Sequence, residues 1–151
     1  MNDGLFSSES DEWATPQDFF DELDRMFDFQ LDVAANAENA KCARFFTKKE
    51  NGLLQEWANR NWMNPPYGKT ISEWVKKADQ EAENGKLTVA LLPARTDTAW
   101  FHDFCAKWHC VFLRGRMKFE RKMGGGRSWH GSIPVHDCLF WNLGVISCVA
   151  N

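Results

Sequence analysis

Four consecutive residues, Asn64-Pro65-Pro66-Tyr67, combine a side-chain amide, a rigid turn and the only tyrosine of the protein. They follow the apolar pair Trp62-Met63, so they read as a strand that stops at a loop. Each proline holds φ near −65° and has no N–H to donate, so no sheet ladder continues through the pair and its carbonyls remain as acceptors. An amide and a carbonyl in front of an aromatic ring make a socket that can hydrogen-bond an amino group and stack on a flat ring. The substrate that fits is planar and bears an amine. A strand-terminating turn, capped by its Asn and with the Tyr packed nearby, explains four residues equally well, so the rest of the chain must decide.

A second stretch with chemical character lies downstream. The net charge of −3 does not mark a nucleic-acid binder, but the charges are unevenly spread. Residues 1–32 hold ten acids and one base, Arg25. Between residues 114 and 130 the bases Arg114, Arg116, Lys118, Arg121, Lys122 and Arg127 meet a single acid, Glu120. A solvated charged loop is the simpler explanation. The interleaving with Met117, Phe119 and Trp129 around Gly124-Gly125-Gly126 favours a mobile binding loop that meets phosphate.

The elements that must position these residues follow from periodicity. Residues 1–12 are expected to be disordered. Thr15 is placed to cap a helix over 16–27, with Pro16 at its first position and Phe19, Phe20, Leu23, Met26 and Phe27 at helical spacing. Phe29 to Ala35 is expected as a short strand with Asp32 near its carboxyl end, where ligands of open α/β sheets bind. Residues 36–61 show no clear period. Asn36 to Lys41 is a candidate helical turn, Phe45-Phe46 can pack in the core or wall a pocket, Asn51-Gly52 is a turn signal, and Leu53, Leu54 and Trp57 add another helical turn. Thr70-Ile71-Ser72-Glu73 has the form of a capping box, opening a helix with Ile71, Trp74, Val75, Ala78 and Ala82 on one face and ending at Asn84-Gly85.

Leu87 to Leu92 then reads as a buried strand stopped by Pro93, and Asp97 or Thr98 caps a helix presenting Trp100, Phe101, Phe104, Cys105 and Trp108. Cys110 to Leu113 is the next strand. Alternating strands and helices predict an α/β fold with a parallel sheet, and the runs Cys138–Trp141 and Val145–Ser147 predict an antiparallel edge.

With 151 residues the chain fits one domain, expected over 13–151, and can bury a core without disulfides or metals. The cysteines Cys42, Cys105, Cys110, Cys138 and Cys148 are odd in number and contain no C-x-x-C pair, which argues against a disulfide framework and a zinc site and predicts a reduced, cytoplasmic protein. No apolar run approaches the roughly 18 residues of a membrane span, and the acidic N-terminus does not resemble a signal peptide. A monomer is the default expectation.

Taken in register, Trp13-Ala14-Thr15-Pro16, Leu31-Asp32-Val33-Ala34-Ala35, Asn51-Gly52-Leu53, Asn64-Pro65-Pro66-Tyr67, Leu91 to Asp97 and Arg114 to Phe119 resemble the phage DNA N6-adenine methyltransferase family. The resemblance spans about residues 13–119. It implies a Rossmann-like S-adenosylmethionine methyltransferase fold with helices on both faces of the sheet, DNA as partner, and methyl transfer to the N6 amine of adenine. Where such an enzyme is phage-encoded, it works in the host cytoplasm.

The resemblance also assigns roles. The exocyclic amine of adenine is conjugated with its ring and is a poor nucleophile, so Asn64 and the Pro65 carbonyl would hold its N–H groups, Pro66 would shape the turn, and Tyr67 would stack on the base after it is flipped from the helix. Thr15 and Pro16 would touch the methionine end of the cofactor, Asp32, Ala34 and Asn64 would line its seat, and Asn51 would approach its adenine. No metal and no nucleophile is needed, so His102, His109, His130 and His136 remain surface or core residues.

Two features depart from the wider superfamily. No glycine-rich loop follows the first strand, and only about 30 residues separate Asp32 from Asn64, so the first half of the fold is expected to be trimmed. Glu38 or Glu50 is then the candidate for the cofactor ribose. No separate target-recognition domain is evident, which leaves residues 114–130 as the reader of DNA and favours a short recognition sequence. A protein-glutamine methyltransferase can use the same socket but is expected to carry a glycine-rich cofactor loop. A DNA-binding module without catalysis would lack cofactor binding.

Overall fold

A computed structural model describes residues 14–115, 117–123, 127–132 and 137–142. The strand Leu87–Pro93 shows how the fold is held. Val89 and Leu91 pack to one side of it and Ala90 and Leu92 to the other, all without solvent exposure. A strand apolar on both faces must be covered on both. Helices Ile71–Glu83 and Ala99–Asp103 cover one face, where Ile71, Trp74, Val75, Ala78 and Trp100 meet Met63, Ala90, Leu92 and Phe140. Helix Gln17–Phe27 covers the other, placing Phe20 and Leu23 against Trp62, Val89, Leu91 and Leu139. Each fully buried large side chain contributes about 1.5–3 kcal/mol of apolar transfer.

We number the helices α1 (Gln17–Phe27), α2 (Ile71–Glu83) and α3 (Ala99–Asp103), and the strands β1 (Leu31–Asp32), β2 (Arg60–Met63), β3 (Leu87–Pro93), β4 (His109–Phe112), β5 (Lys118–Met123), β6 (Arg127–Ser132) and β7 (Asp137–Asn142). Five strands form one sheet in the order β1-β2-β3-β7-β4, and β5 and β6 form a separate two-stranded sheet. β1, β2 and β3 are parallel, with Asp32 beside Trp62 and Trp62 beside Val89. This is the α/β architecture with a parallel centre and an antiparallel end that the sequence predicts. β7 does not take the outermost place. It lies between β3 and β4, antiparallel to both, pairing Leu91 with Leu139 on one side and Val111 with Leu139 on the other. The reason is burial: Cys138 and Phe140 are fully buried, whereas Val111 and Phe112 of the edge strand β4 are exposed. The run Val145–Ser147 lies outside the described residues.

The helix ends differ from their sequence signals. Pro16, not Thr15, is the N-cap of α1, and no side chain caps it. Thr70 precedes α2 without a side-chain cap bond, so the capping-box residues form no box. The C-terminus of α2 follows its signal: Gly85 at φ 78° lets its N–H reach the Ala82 carbonyl at 2.9 Å while Lys86 N–H reaches that of Glu81 at 3.1 Å. α3 is short, and its last turn passes into a 3-10 turn, Cys105–Lys107. Within residues 114–130, which the charge run marks as a loop, the backbone forms the β5–β6 hairpin, with Met123 opposite Arg127 and Lys118 opposite Ser132. Polar and apolar residues alternate at Lys118-Phe119-Glu120, a period of two that suits a strand.

The aperiodic stretch 33–59 is ordered by side-chain caps. Asn36 Oδ1 accepts from the backbone N–H groups of Glu38 and Asn39, both at 2.9 Å, and Asn39 Oδ1 accepts from Asn36 N–H at 2.7 Å. The Ala40 N–H reaches the Asn36 carbonyl at 3.0 Å, which makes the expected helical turn. A parallel bridge joins Asp32 to Phe45 beside β1. Among the described residues, Cys42, Cys105, Cys110 and Cys138 form no disulfide. No helix among the described residues is long and apolar enough to cross a membrane.

Candidate active site

Asn64 is the first residue after β2, and Asp32 is the last of β1, so the parallel pairing of these strands brings both to the carboxyl edge of the sheet. Pro65 and Pro66 then end the ladder, and Pro65 is buried. Tyr67 is half-buried against the core of the α2 face, and its hydroxyl donates to the Leu91 carbonyl of β3 at 3.3 Å. Because α1 starts at Gln17, Thr15 stands just before it, only 2% exposed. Its Oγ1 accepts a hydrogen bond from Asn64 Nδ2 at 3.1 Å, across 49 residues of sequence. The residue expected to cap a helix instead holds the amide of the socket.

Asp32 is equally buried, at 2% exposure. Its Oδ2 accepts from Lys41 N–H at 3.0 Å and its Oδ1 from Ala34 N–H at 3.3 Å, so the carboxyl draws the loop after β1 around itself. Burial raises its pKa to about 7, against the opposing pull of these two hydrogen bonds and of the Lys41 charge. Between the ordinary 3.8 and about 7 the unfolded carboxyl is ionised while the folded one keeps its proton, so native stability falls as pH rises through that window and levels off above it. The stability of the wild type relative to Asp32→Asn, measured by urea unfolding, is expected to fall by a few kcal/mol from about pH 4 to about pH 7. A flat difference contradicts this.

These residues open onto a cavity of about 360 Å³, within the roughly 300–1,000 Å³ of small-molecule and cofactor sites. Thr15, Asp32, Ala34 and Asn64 line it, together with Asn51, Lys41 and Lys48, and Phe46, Leu53 and Trp74 supply apolar walls. Phe46, a candidate for either core or pocket, serves both, since it also packs on the core. Gly52 is a tight point of the wall. A Cβ there would lie 2.2 Å from the Val33 carbonyl and 3.1 Å from the Trp74 ring. Gly52→Ala must therefore push the 51–54 turn off the strand, and a stability loss of about 2 kcal/mol is expected in thermal unfolding. Unchanged stability would show that the wall yields freely.

Most of the catalytic and cofactor candidates from the sequence converge here, and some do not. Thr15, Asp32, Ala34, Asn51, Asn64 and Pro66 line the cavity, whereas Pro16, Pro65 and Tyr67 are not among its lining residues. Neither ribose candidate faces it. Glu38 is exposed within the Asn36 turn, and Glu50 spends its carboxylate on the Thr47 backbone N–H, at 2.7 Å, and on the Thr47 hydroxyl, contacts that hold it below the usual carboxylate range. Thr70, Glu73 and Trp74 of the α2 N-terminal region also line the cavity, although in the sequence they read only as cap and helix face. A signal for them is present in the glycine of Asn51-Gly52, which permits the close approach of Trp74.

Among the DNA-contact candidates, Arg114 and Lys118 are exposed. Arg121, Lys122 and Arg127 occupy the end of the hairpin next to residues 124–126, in the register pairs Arg121–Trp129, Lys122–Ser128 and Met123–Arg127. Arg116 and His136 lie outside the described residues. His102 Nε2 lies 2.8 Å from the Thr96 carbonyl, and His109 stacks on Trp141, so neither belongs to the cavity.

Comparison with known proteins places the chain in a family. Residues 4–133 match the model of the family described as DNA N-6-adenine-methyltransferase (Dam). The DNA N-6-adenine-methyltransferase of Haemophilus phage HP1 (strain HP1c1) is 35% identical over 139 residues, covering 88% of this chain and 80% of that protein. The protein of the same name from Escherichia phage T1 is 37% identical over 94 residues, 60% of this chain, and the chain spans 39% of its length. With a family model matching most of its length and a relative aligned along nearly all of it, the chain belongs to the DNA N-6-adenine-methyltransferase family.

Proposed function

We propose that this chain transfers the methyl group of S-adenosylmethionine to the N6 amine of adenine in DNA, with Asn64 at the reacting amine and the adjoining cavity as the cofactor seat. The observation behind this is the position of Asn64, which lines the same cavity as Thr15 and Asp32 at the carboxyl ends of β1 and β2. The residues present fit the cofactor. A buried carboxyl and polar groups at one side suit a zwitterionic, cationic ligand, and Phe46, Leu53 and Trp74 suit a flat base.

When bound, S-adenosylmethionine supplies an electrophilic methyl group on a sulfonium sulfur. Asn64 Oδ1 and the Pro65 carbonyl accept the amine hydrogens and pull the nitrogen lone pair out of conjugation. The bound group would supply its methyl to the amine held by Asn64 and Pro65, leaving as the neutral thioether, and the methylated amine would release a proton to solvent. Tyr67 offers its ring to the flipped base. Catalysis comes from placement and water exclusion, so no dedicated base is required. The basic residues of 114–130 meet the phosphate backbone, and the reaction takes place in the cytoplasm, that of the host for a phage-borne gene. Enzymatic digestion and mass spectrometry of DNA incubated with protein and cofactor test this: N6-methyladenine is the expected product, and N4-methylcytosine or unmodified DNA overturns it.

A further inference from the structure

Strands β2, β3 and β4 each have a cation near either end, and the two ends differ in what those cations meet. At the amino ends the flanking cation is paired: Arg60 with Asp28 at 2.7 Å, Lys86 before β3 with Glu81 at 2.8 Å, and Lys107 before β4 with Asp79 at 2.8 Å. At the carboxyl ends Lys69 follows β2, Arg95 follows β3 and Arg114 follows β4. All three are exposed, and among the described residues none of their side chains has an ion pair or a hydrogen bond. Asp97 is the single acid in residues 67–70, 94–98 and 113–115. β4 runs parallel to β3, since Cys138 of the antiparallel β7 pairs with Leu92 on one side and Phe112 on the other, so the three cations share the sheet edge that holds Asn64. Ordinary solvated charge gives no reason for acids to accompany the cations of one edge and to be scarce at the other.

We propose that Lys69, Arg95 and Arg114 form a rail for the phosphate backbone of DNA, running along the carboxyl edge from the β5–β6 hairpin to the amine socket. The proposal rests on the function given above and adds Lys69 and Arg95 to the DNA-binding surface. The strand order β2-β3-β7-β4 sets three steps of about 4.8 Å between the first and last of these strands, about 14 Å in all, which matches about four phosphates along one strand of DNA. The hairpin joins the rail, because β5 starts four residues after Arg114 and β7, which follows the hairpin, starts at Asp137 opposite Pro93. Arg95 is the central member and stands on a fixed turn. Its N–H donates to the Pro93 carbonyl at 2.8 Å, its carbonyl accepts from Thr98 N–H at 3.2 Å and from Thr98 Oγ1 at 2.7 Å, and His102 Nε2 lies 2.8 Å from the Thr96 carbonyl. A backbone already ordered loses less freedom when its side chain meets phosphate.

Fluorescence anisotropy with a labelled duplex of mixed sequence, over a salt series, compares wild type, Arg95→Gln, the triple variant Lys69→Gln, Arg95→Gln, Arg114→Gln, and Arg25→Gln. The last removes one exposed positive charge from the final turn of α1, which leads into the amino end of β1 and so lies at the opposite edge. Arg95→Gln should weaken binding roughly fivefold at low salt and flatten the slope of log K against log salt by about 0.9; the triple variant should weaken binding roughly 100-fold and flatten the slope by about 2–3. Arg25→Gln should leave the slope within about 0.3 of wild type, since it removes no phosphate contact. The cofactor Kd, measured by calorimetry, should stay within about twofold throughout, because none of the substituted residues lines the cavity. An unchanged slope in the triple variant overturns the proposal, as does a slope change in Arg25→Gln equal to that in Arg95→Gln, which would make the effect one of net charge. A wild type that binds RNA of equal length in preference to the duplex overturns DNA as the occupant of the rail. If the wild type binds the duplex but makes no N6-methyladenine, the functional proposal has failed, and the slopes still decide whether the rail exists.

Discussion

Replacing Asn64 by Ala should reduce methyl transfer on the order of 10³-fold, at the upper end of what removal of one preorganised hydrogen-bonding group costs an enzyme. The amine of adenine reacts only when its lone pair is drawn out of the ring, and in the proposed reaction Asn64 is one of the two acceptors that do this. Pro65 cannot compensate, because its carbonyl reaches a single hydrogen. The same change should cost about 1 kcal/mol of stability, since it leaves the buried Thr15 hydroxyl without its donor beside a cavity that water can enter. Cofactor affinity should stay within about fivefold, because Asp32, Asn51, Phe46 and Trp74 remain in the lining. Single-turnover kinetics with calorimetry separates the two quantities. A variant that retains a tenth or more of the wild-type rate removes Asn64 from the chemistry.

Neutralising Arg121, Lys122 and Arg127 together, each to Gln, should weaken DNA binding about 100-fold at low salt and leave the cofactor Kd unchanged. The three residues sit within one end of the β5–β6 hairpin, in register pairs next to residues 124–126. That hairpin is a sheet of its own, separate from the sheet whose strand ends hold the cavity. Every cation removed from a phosphate should also flatten the dependence of log K on log salt by about 0.9 for duplex DNA, so the slope should fall by about 2–3. Fluorescence anisotropy over a salt series measures both. An unchanged slope would mean that the hairpin does not meet phosphate, and DNA must then approach the cavity from another side.

The pH behaviour of Asp32 bears on the same site. A cation seated near its carboxyl favours the ionised form, so loading with a cationic ligand should bring the carboxyl back towards its ordinary range and strengthen as pH rises to about 7. This is the reverse of the trend in stability. The two trends have one cause, the removal of the carboxyl from water.

What the sequence by itself determined is the set of elements with strong local periods and the stop of β2 at Asn64-Pro65-Pro66-Tyr67. β3 is apolar without interruption and must be buried on both faces; α2 has a clean apolar stripe and a glycine end; two prolines must stop β2. Each depends on residues within one or two turns of each other, so the linear chain displays it. The tertiary structure alone decided three things. β7 enters between β3 and β4 because Cys138 and Phe140 are buried against neighbours far away in sequence. Residues 33–59 take their shape from side-chain hydrogen bonds of Asp32, Asn36, Asn39 and Glu50 to nearby backbone, which have no period to recognise. Thr15, whose type and position match a helix cap, is drawn into a hydrogen bond with Asn64 that crosses 49 residues. A hydroxyl satisfies a local cap or a distant amide equally well, and only the packing of α1 against the sheet determines which one is within reach.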